Sequence, residues 1–220
     1  MNRVIITIDG PAASGKGSLC KLVSKDLNFY YLETGLYYRA FAHLISIEGK
    51  SKLDVSSFIS FIKHEEFKKY LKDTKTLYSK EITNAASKLA KLEYVRKFIV
   101  NMQKSSINNY DKKFNGIILE GRDCGTVIAP EADVKIFLTA DIEVRAKRRF
   151  EQFNKNKKNI EYEEVFQDLN KRDIRDKNRK HSPLKKADDA MLLDNTSLSF
   201  EQTIKIVKNI IFSRIPSLKK

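Results

Sequence analysis

Residues 4–18 read VIITIDGPAASGKGS, and this stretch decides the fold. Val4, Ile5, Ile6 and Ile8 form a β-branched apolar run, the pattern of a strand covered on both faces. Asp9 and Gly10 end it. Gly10, Pro11, Ala12, Ala13, Ser14, Gly15 and Lys16 then match G-x-x-x-x-G-K, a phosphate-binding loop. Such a loop turns its backbone N–H groups inward and opens a helix, so partial positive charge faces an anion with no side chain in between. Gly10 and Gly15 allow the close turn, and Lys16 adds a full charge that can follow a phosphoryl group in transfer. Leu19, Leu22, Val23 and Leu27 supply the helical spacing that must follow.

Gly17 separates Lys16 from Ser18, so the loop reads G-K-G-S instead of the G-K-[ST] of GTPases and most ATPases. This resembles the variant used by nucleoside monophosphate kinases. The remainder of the chain alternates strand and helix, which predicts a parallel sheet with right-handed crossovers and ligands beyond the strand carboxyl ends. Strands are expected to begin near Val4, Phe29, Ile117, Val134 and Met191. Asn28 should break the first helix, Asp141 should cap a later one, and Ser199 to Gln202 fits a capping box for the last, with Ile204, Val207 and Ile211 turned inward. Between them, Phe58, Phe61, Ile62 and Leu71 show helical spacing, and Ile82 to Ile107 reads as further helix without an interrupting strand. This helical section is expected to act as a clamp. Asn154 to Asn159, a Lys/Asn run without periodicity, is expected to be a mobile loop.

Composition bounds the function. With 220 residues, 41% of them hydrophobic, the chain can bury the core of one α/β domain carrying an insertion. No apolar run approaches a membrane span of roughly 18 residues, and the direct entry into a strand leaves no signal peptide to expect. Cys20 and Cys124 lack framework spacing, which fits packing residues in a reducing cytoplasm. The formal net charge of +14 raises a nucleic-acid binder as a rival. The lysines, however, are spread along helices, with a diffuse run at Lys155, Lys157 and Lys158, and read as a solvated surface. The arginines cluster beside acids instead. Arg122 and Asp123 follow the Ile117–Glu120 strand, a Walker B-like delivery of an acid near the phosphate loop. Arg145, Arg148 and Arg149 share one helix. Arg172, Asp176 and Arg179 are spaced i, i+4, i+7 on one helical face. Asn170 to Asp173 spells the guanine-reading N-K-x-D, but within a charged helix and with no D-x-x-G in the chain, so a GTPase is rejected.

GPAASGKGS, ETG with YYR, NAAS with VR after it, EGRDCGTVI, VKIFLTA and RDIRDKNR together resemble bacterial cytidylate kinases, from the first strand to the last helix. The resemblance implies an α/β P-loop NTPase fold with a five-stranded parallel sheet flanked by helices. It implies a core at 1–35 and 111–220, an NMP-binding insertion at about 36–110 and a lid at about 150–162. It implies ATP-dependent phosphorylation of CMP and dCMP with Mg2+, by a cytoplasmic monomer that takes small-molecule substrates and neither nucleic acid nor membrane. Under it, Gly10 to Ser18 hold ATP phosphates; Lys16, Arg122, Arg148 and Arg149 serve the transfer. Arg39 and Arg122 grip the CMP phosphate, and Ser87, Arg96 and Asp123 read cytosine. Thr34, Arg172 and Asp176 approach the sugar, and Arg179 faces the monophosphate pocket. No residue is assigned to metal directly: Mg2+ is expected through phosphates and water, with Ser18 and Glu120 as the candidate ligands. The chain departs from the family in Glu33-Thr34-Gly35 for Asp-Ser-Gly and in Glu120 for Asp. Its insertion between Arg39 and Arg96 is also shorter, and an arginine is missing where Glu81-Ile82 runs into Thr83. Another small-molecule kinase of the same fold, acting on UMP, AMP or a non-nucleotide acid, is the stronger rival.

Overall fold

The computed structural model describes residues 3–47, 59, 67, 69–71, 74–155 and 160–219. Phe58, Phe61, Ile62, Lys157 and Lys158 lie outside the described residues, as do 156–159 of the expected mobile loop. The chain divides into two compact units, Met1–Leu32 with Asp111–Lys220, and Glu33–Tyr110.

The first unit is built on a five-stranded sheet of order β2-β3-β1-β4-β5. The strands are β1 (Val4–Asp9), β2 (Phe29–Glu33), β3 (Gly116–Gly121), β4 (Val134–Thr139) and β5 (Met191–Asp194). β1 pairs parallel with β3, from Val4 against Gly116 to Asp9 against Gly121, and with β4 on its other side. The loop after β1 is therefore flanked by the chain leaving β3 and the chain leaving β4. That is the crevice position where parallel sheets bind ligands.

The apolar periodicity explains the layers. Ile6 and Ile8 of β1, Ile118 of β3, and Ile136 and Leu138 of β4 are buried with Leu19 and Val23 of α1 (Lys16–Leu27). Val207 and Ile211 of α8 (Phe200–Arg214) complete this layer, and Ile204 packs at its margin. Each such side chain contributes about 1.5–3 kcal/mol by leaving water. α1 stops where Asn28 takes a left-handed φ of 53°, and α8 opens with the predicted Ser199–Gln202 capping box.

Two further helices carry the basic cluster. α6 (Ile142–Lys155) starts where the Asp141 carboxylate accepts from Glu143 N at 2.8 Å. Asn154 and Lys155, read as the start of a loop, instead close this helix. Its aromatic residues Phe150 and Phe153 pack on a small core of Ala12, Ala146, Val165 and Leu169, which extends helical order past the composition break. α7 (Tyr162–Asn178) follows and contains Asn170 to Asp173, so the N-K-x-D spelling lies within a helix.

The second unit is helical over its described residues: α2 (Thr34–Ile47), a single turn α3 (Thr74–Leu77), α4 (Lys80–Leu89) and α5 (Glu93–Asn108). Phe98 meets Phe41 and Phe67 with ring centroids 5.6 and 5.9 Å apart. The expected helix from Ile82 to Ile107 is two helices. Leu92 takes an extended φ, ψ of −80°, 122°, and the Arg96 guanidinium donates to the Ala90 carbonyl at 3.0 Å. A buried cation on the last carbonyls ends α4 without a glycine or proline.

Candidate active site

The phosphate loop has the backbone its spelling requires. Gly10 lies at φ 150°, and a Cβ there would meet the Leu138 carbonyl oxygen at 1.9 Å, so no other residue fits beside β4. Gly15 at φ 92° caps the N-terminus of α1. Ala13 also sits left-handed, at φ 59°, which costs a residue with a Cβ about 1–2 kcal/mol. Lys16 is buried and folded onto its own loop, donating to the Pro11 carbonyl at 2.6 Å and to Ser14 Oγ at 3.1 Å. Burial first, and the neighbouring Arg122 second, pull its ammonium down to a pKa of about 7.

Beyond β3, Arg122 and Asp123 meet the residues read from α7. Arg122 Nε donates to Asp176 Oδ2 at 3.1 Å and its Nη1 to the Gly121 carbonyl at 3.0 Å. Arg172 stands 3.9 Å from Asp176. Arg179 lies 4.0 Å from Asp176 and 3.8 Å from Asp123, so three arginines and two carboxylates form one cluster. Burial works against a charge on Asp176, but Arg122, Arg172 and Arg179 outweigh it and hold its carboxyl below the ordinary carboxylate value. Arg179 is not on the helical face its spacing suggested: α7 ends at Asn178, and Arg179 is the extended residue after it, with its Nε donating to the Ser182 carbonyl.

Arg148 and Arg149 diverge. Arg148 donates from Nη1 to Asn195 Oδ1 at 3.0 Å and from Nη2 to the Asn195 carbonyl at 2.9 Å. Arg149 bonds Gln152 at 2.7 Å and lies over the Phe153 ring. Glu120 accepts from the Tyr31 hydroxyl at 2.9 Å, and its Oε2 lies 3.7 Å from where a Cβ of Gly17 would be. Ser18 is exposed on the first turn of α1. Hydroxyl and carboxylate oxygens beside a phosphate loop are a hard donor set that fits Mg2+ held largely by phosphates and water.

The remaining predicted residues belong to the second unit. The Thr34 carbonyl opens α2 and accepts from Gln103 Nε2 at 2.9 Å. Arg39 pairs with Glu33 at 3.1 Å and lies over the Tyr78 ring. Arg96 is only 3% exposed, with its guanidinium facing the Tyr38 ring. Among the described residues, buried Ser87 Oγ has no hydrogen-bond partner.

Two residues escaped sequence reasoning. Asp9 ends β1, and its two oxygens accept from Cys124 N at 2.9 Å and Gly125 N at 2.8 Å. Those amides open a π-helical turn, Cys124–Ile128, directly after Arg122 and Asp123. Burial raises the Asp9 pKa to about 6 against those two donors. The available signal was an acid closing an otherwise apolar strand. Asn195 follows β5, and its Nδ2 donates to the Ser14 carbonyl of the phosphate loop at 3.1 Å. Its signal was position alone, the first residue beyond a parallel strand's carboxyl end.

A family model described as cytidylate kinase matches residues 6–213. A cytidylate kinase of Bartonella bacilliformis is 40% identical over 211 residues, covering 96% of this chain and 95% of that protein. A cytidylate kinase of Fusobacterium nucleatum is 39% identical over 219 residues, covering 96% and 98%. The crystal structure of TT1252 from Thermus thermophilus covers 98% of this chain and 99% of its own, at a TM-score of 0.53 and 14% identity, a likeness of fold. By sequence over nearly its whole length, the chain belongs to the cytidylate kinase family.

Proposed function

We propose that the chain transfers the γ-phosphoryl group of ATP to CMP or dCMP, giving ADP and CDP or dCDP. The observation that carries this reading is the cluster of Arg122, Asp123, Asp176 and Arg179 beyond β3, in the unit that also holds the Gly10–Ser18 loop. A phosphate-binding loop alone accommodates many nucleotide enzymes. A buried carboxylate beside several arginines accommodates an anionic acceptor carrying an amino group.

The chemistry asks the protein mainly for alignment and charge neutralisation. Loop amides and Lys16 hold the donor phosphates. Arg122 supplies a planar fork to the acceptor phosphate. Arg179 adds charge at the same position, and Arg172 and Asp176 approach the sugar. Arg148 and Arg149 neutralise the group in transfer once their side chains leave Asn195 and Gln152. Thr34 and Arg39 hold the acceptor's sugar and phosphate, and Ser87 and Arg96 its base. Bound Mg2+, held by Ser18, Glu120 and water, would neutralise and orient the phosphate oxygens. The proposed setting is a cytoplasmic monomer; among the described residues no helix is long and apolar enough to cross a membrane.

Asp123 decides the base. Its carboxylate can accept from the 4-amino group of cytosine but opposes the carbonyl of uracil, and an opposed buried pair costs about 1–3 kcal/mol. The experiment is a panel of nucleoside monophosphates with ATP and Mg2+, followed by ADP release. CMP should lead the panel, and Asp123→Asn should lower the CMP-to-UMP ratio of kcat/KM by about tenfold or more. An unchanged ratio sinks the assignment of Asp123, and preference for another acceptor sinks the function.

A further inference from the structure

Arg145 of α6 is the least surface-like arginine of the first unit. Its Nε donates to the Ala140 carbonyl at 2.8 Å, and its Nη1 to the Ala12 carbonyl at 3.1 Å. The same Nη1 lies 2.6 Å from Asp173 Oδ2 on α7, and both residues are 5% exposed. One guanidinium therefore touches the end of β4, the phosphate loop and α7. Val165 and Leu169 of α7 pack in one apolar cluster with Ala12 and Ala146, so the ion pair lies along a seam where loop and helices already meet.

Stability alone is a weak reason for such a pair, because desolvation offsets most of its Coulomb attraction and apolar replacements often do as well. Its position suggests another. Ala12 precedes Ala13, whose left-handed backbone must be held by its surroundings. Asp173 lies between Arg172 and Asp176 on α7; among the described residues one of its oxygens has no hydrogen bond, and the other is ion-paired with Arg145.

We infer that the Arg145–Asp173 pair is a positioning device that ties the phosphate loop to α7, so that nucleotide on the loop and the setting of Arg172, Asp176 and Arg179 form one linked arrangement. The inference deepens the function proposed above and rests on it for its kinetic consequence. Nucleotide phosphates that fix the loop amides fix the Ala12 carbonyl. The rigid fork of Arg145 passes that constraint to Asp173 and its helix. Lysine at this position carries one compact charge on a flexible stem and cannot hold three acceptors in a fixed plane.

The test uses Arg145→Lys, Asp173→Asn and the double variant in the full chain, with thermal melting to establish folding. In the wild type, ADP should slow amide exchange in α7 by about tenfold. Either single variant should still bind ADP but lose that slowing. kcat with ATP and CMP should fall about tenfold while KM for ATP stays within about threefold. The double variant should be no worse than the poorer single one, since both remove one link. ADP-dependent slowing of α7 equal to wild type in the variants, its absence from the wild type, or kcat losses that multiply in the double variant would each overturn the inference. If a variant fails to fold, Asp173→Glu keeps the charge, displaces the carboxylate by one methylene and carries the same exchange measurement. A wild type that leaves CMP unphosphorylated defeats the proposed function, and exchange with ADP alone still decides the linkage.

Discussion

The phosphate loop and helix α4 of the Glu33–Tyr110 unit hold contrasting polar groups. Beside the loop, Lys16, Asp9 and Asn195 are each engaged. Lys16 rests on Pro11 and Ser14, Asp9 on two amides, and Asn195 on Ser14 and Arg148. In α4, Ser87 Oγ is buried with no hydrogen-bond partner among the described residues. Satisfied groups describe a frame set before ligand arrives. An orphaned buried hydroxyl carries a desolvation penalty of about 1–3 kcal/mol, which proteins keep chiefly where function requires it.

The largest expected effect breaks the frame side of this contrast. Lys16→Ala should lower turnover by about a hundredfold or more, since a charge aimed at the transferring group is removed. Melting should show an intact fold with no loss of stability, because the ammonium is already disfavoured by burial. Activity within threefold of wild type would show that the loop lysine does no work in transfer.

Next, Arg122→Lys should lower kcat/KM for CMP by about tenfold to a hundredfold with little change in KM for ATP, because charge survives but the two-pronged geometry does not. Equal weakening toward both substrates would move Arg122 out of the acceptor position. On the other side of the comparison, Ser87→Ala should cost CMP about fivefold to tenfold in kcat/KM. Its melting temperature should hold or rise, since the substitution removes an unsatisfied hydroxyl. A stability loss with unchanged kinetics would make Ser87 a packing residue.

The smallest effect is a proton. Lys16 titrates at about 7 without ligand, so at pH 8 most of its population is neutral. Phosphates restore the ammonium, so ADP binding should take up protons at pH 8 and far fewer at pH 6. Calorimetry in buffers of different ionisation enthalpy reads this directly, and Lys16→Ala should abolish it. Stability has matching signs. Lys16 binds fewer protons folded than unfolded between pH 7 and its ordinary value of 10.5, so its contribution rises with pH across that window. Asp9, raised from 3.8 to about 6, binds more protons folded, so its contribution falls with rising pH between those values.

Legibility followed sequence distance. The loop at Gly10–Ser18, the stop at Asn28 and the Ser199–Gln202 box are local devices whose partners sit within a few residues, and each was readable. Three strands, β1, β3 and β4, announced themselves through β-branched residues, while β2 was legible as an aromatic run and β5 as a short apolar one. The break at Ala90–Leu92 was invisible because helix-favouring residues occupy it and the agent, Arg96, comes from the next helix. Asp9 and Asn195 were missed because their partners lie far along the chain, Cys124 and Gly125 for one and Ser14 for the other. The spacing of Arg172, Asp176 and Arg179 identified a true cluster but placed Arg179 on a helix that ends one residue sooner.

The pairing of Val4 with Gly116 also sets a clock on synthesis. The central strand is made first, yet neither of its sheet neighbours exists until the chain has passed that second residue. At roughly 5–20 residues per second, β1 waits about 6–22 s on the ribosome with its isoleucines uncovered. The sheet therefore forms late, by a long-range closure of the kind that folds slowly. During that interval the VIITI run lacks both of its sheet partners.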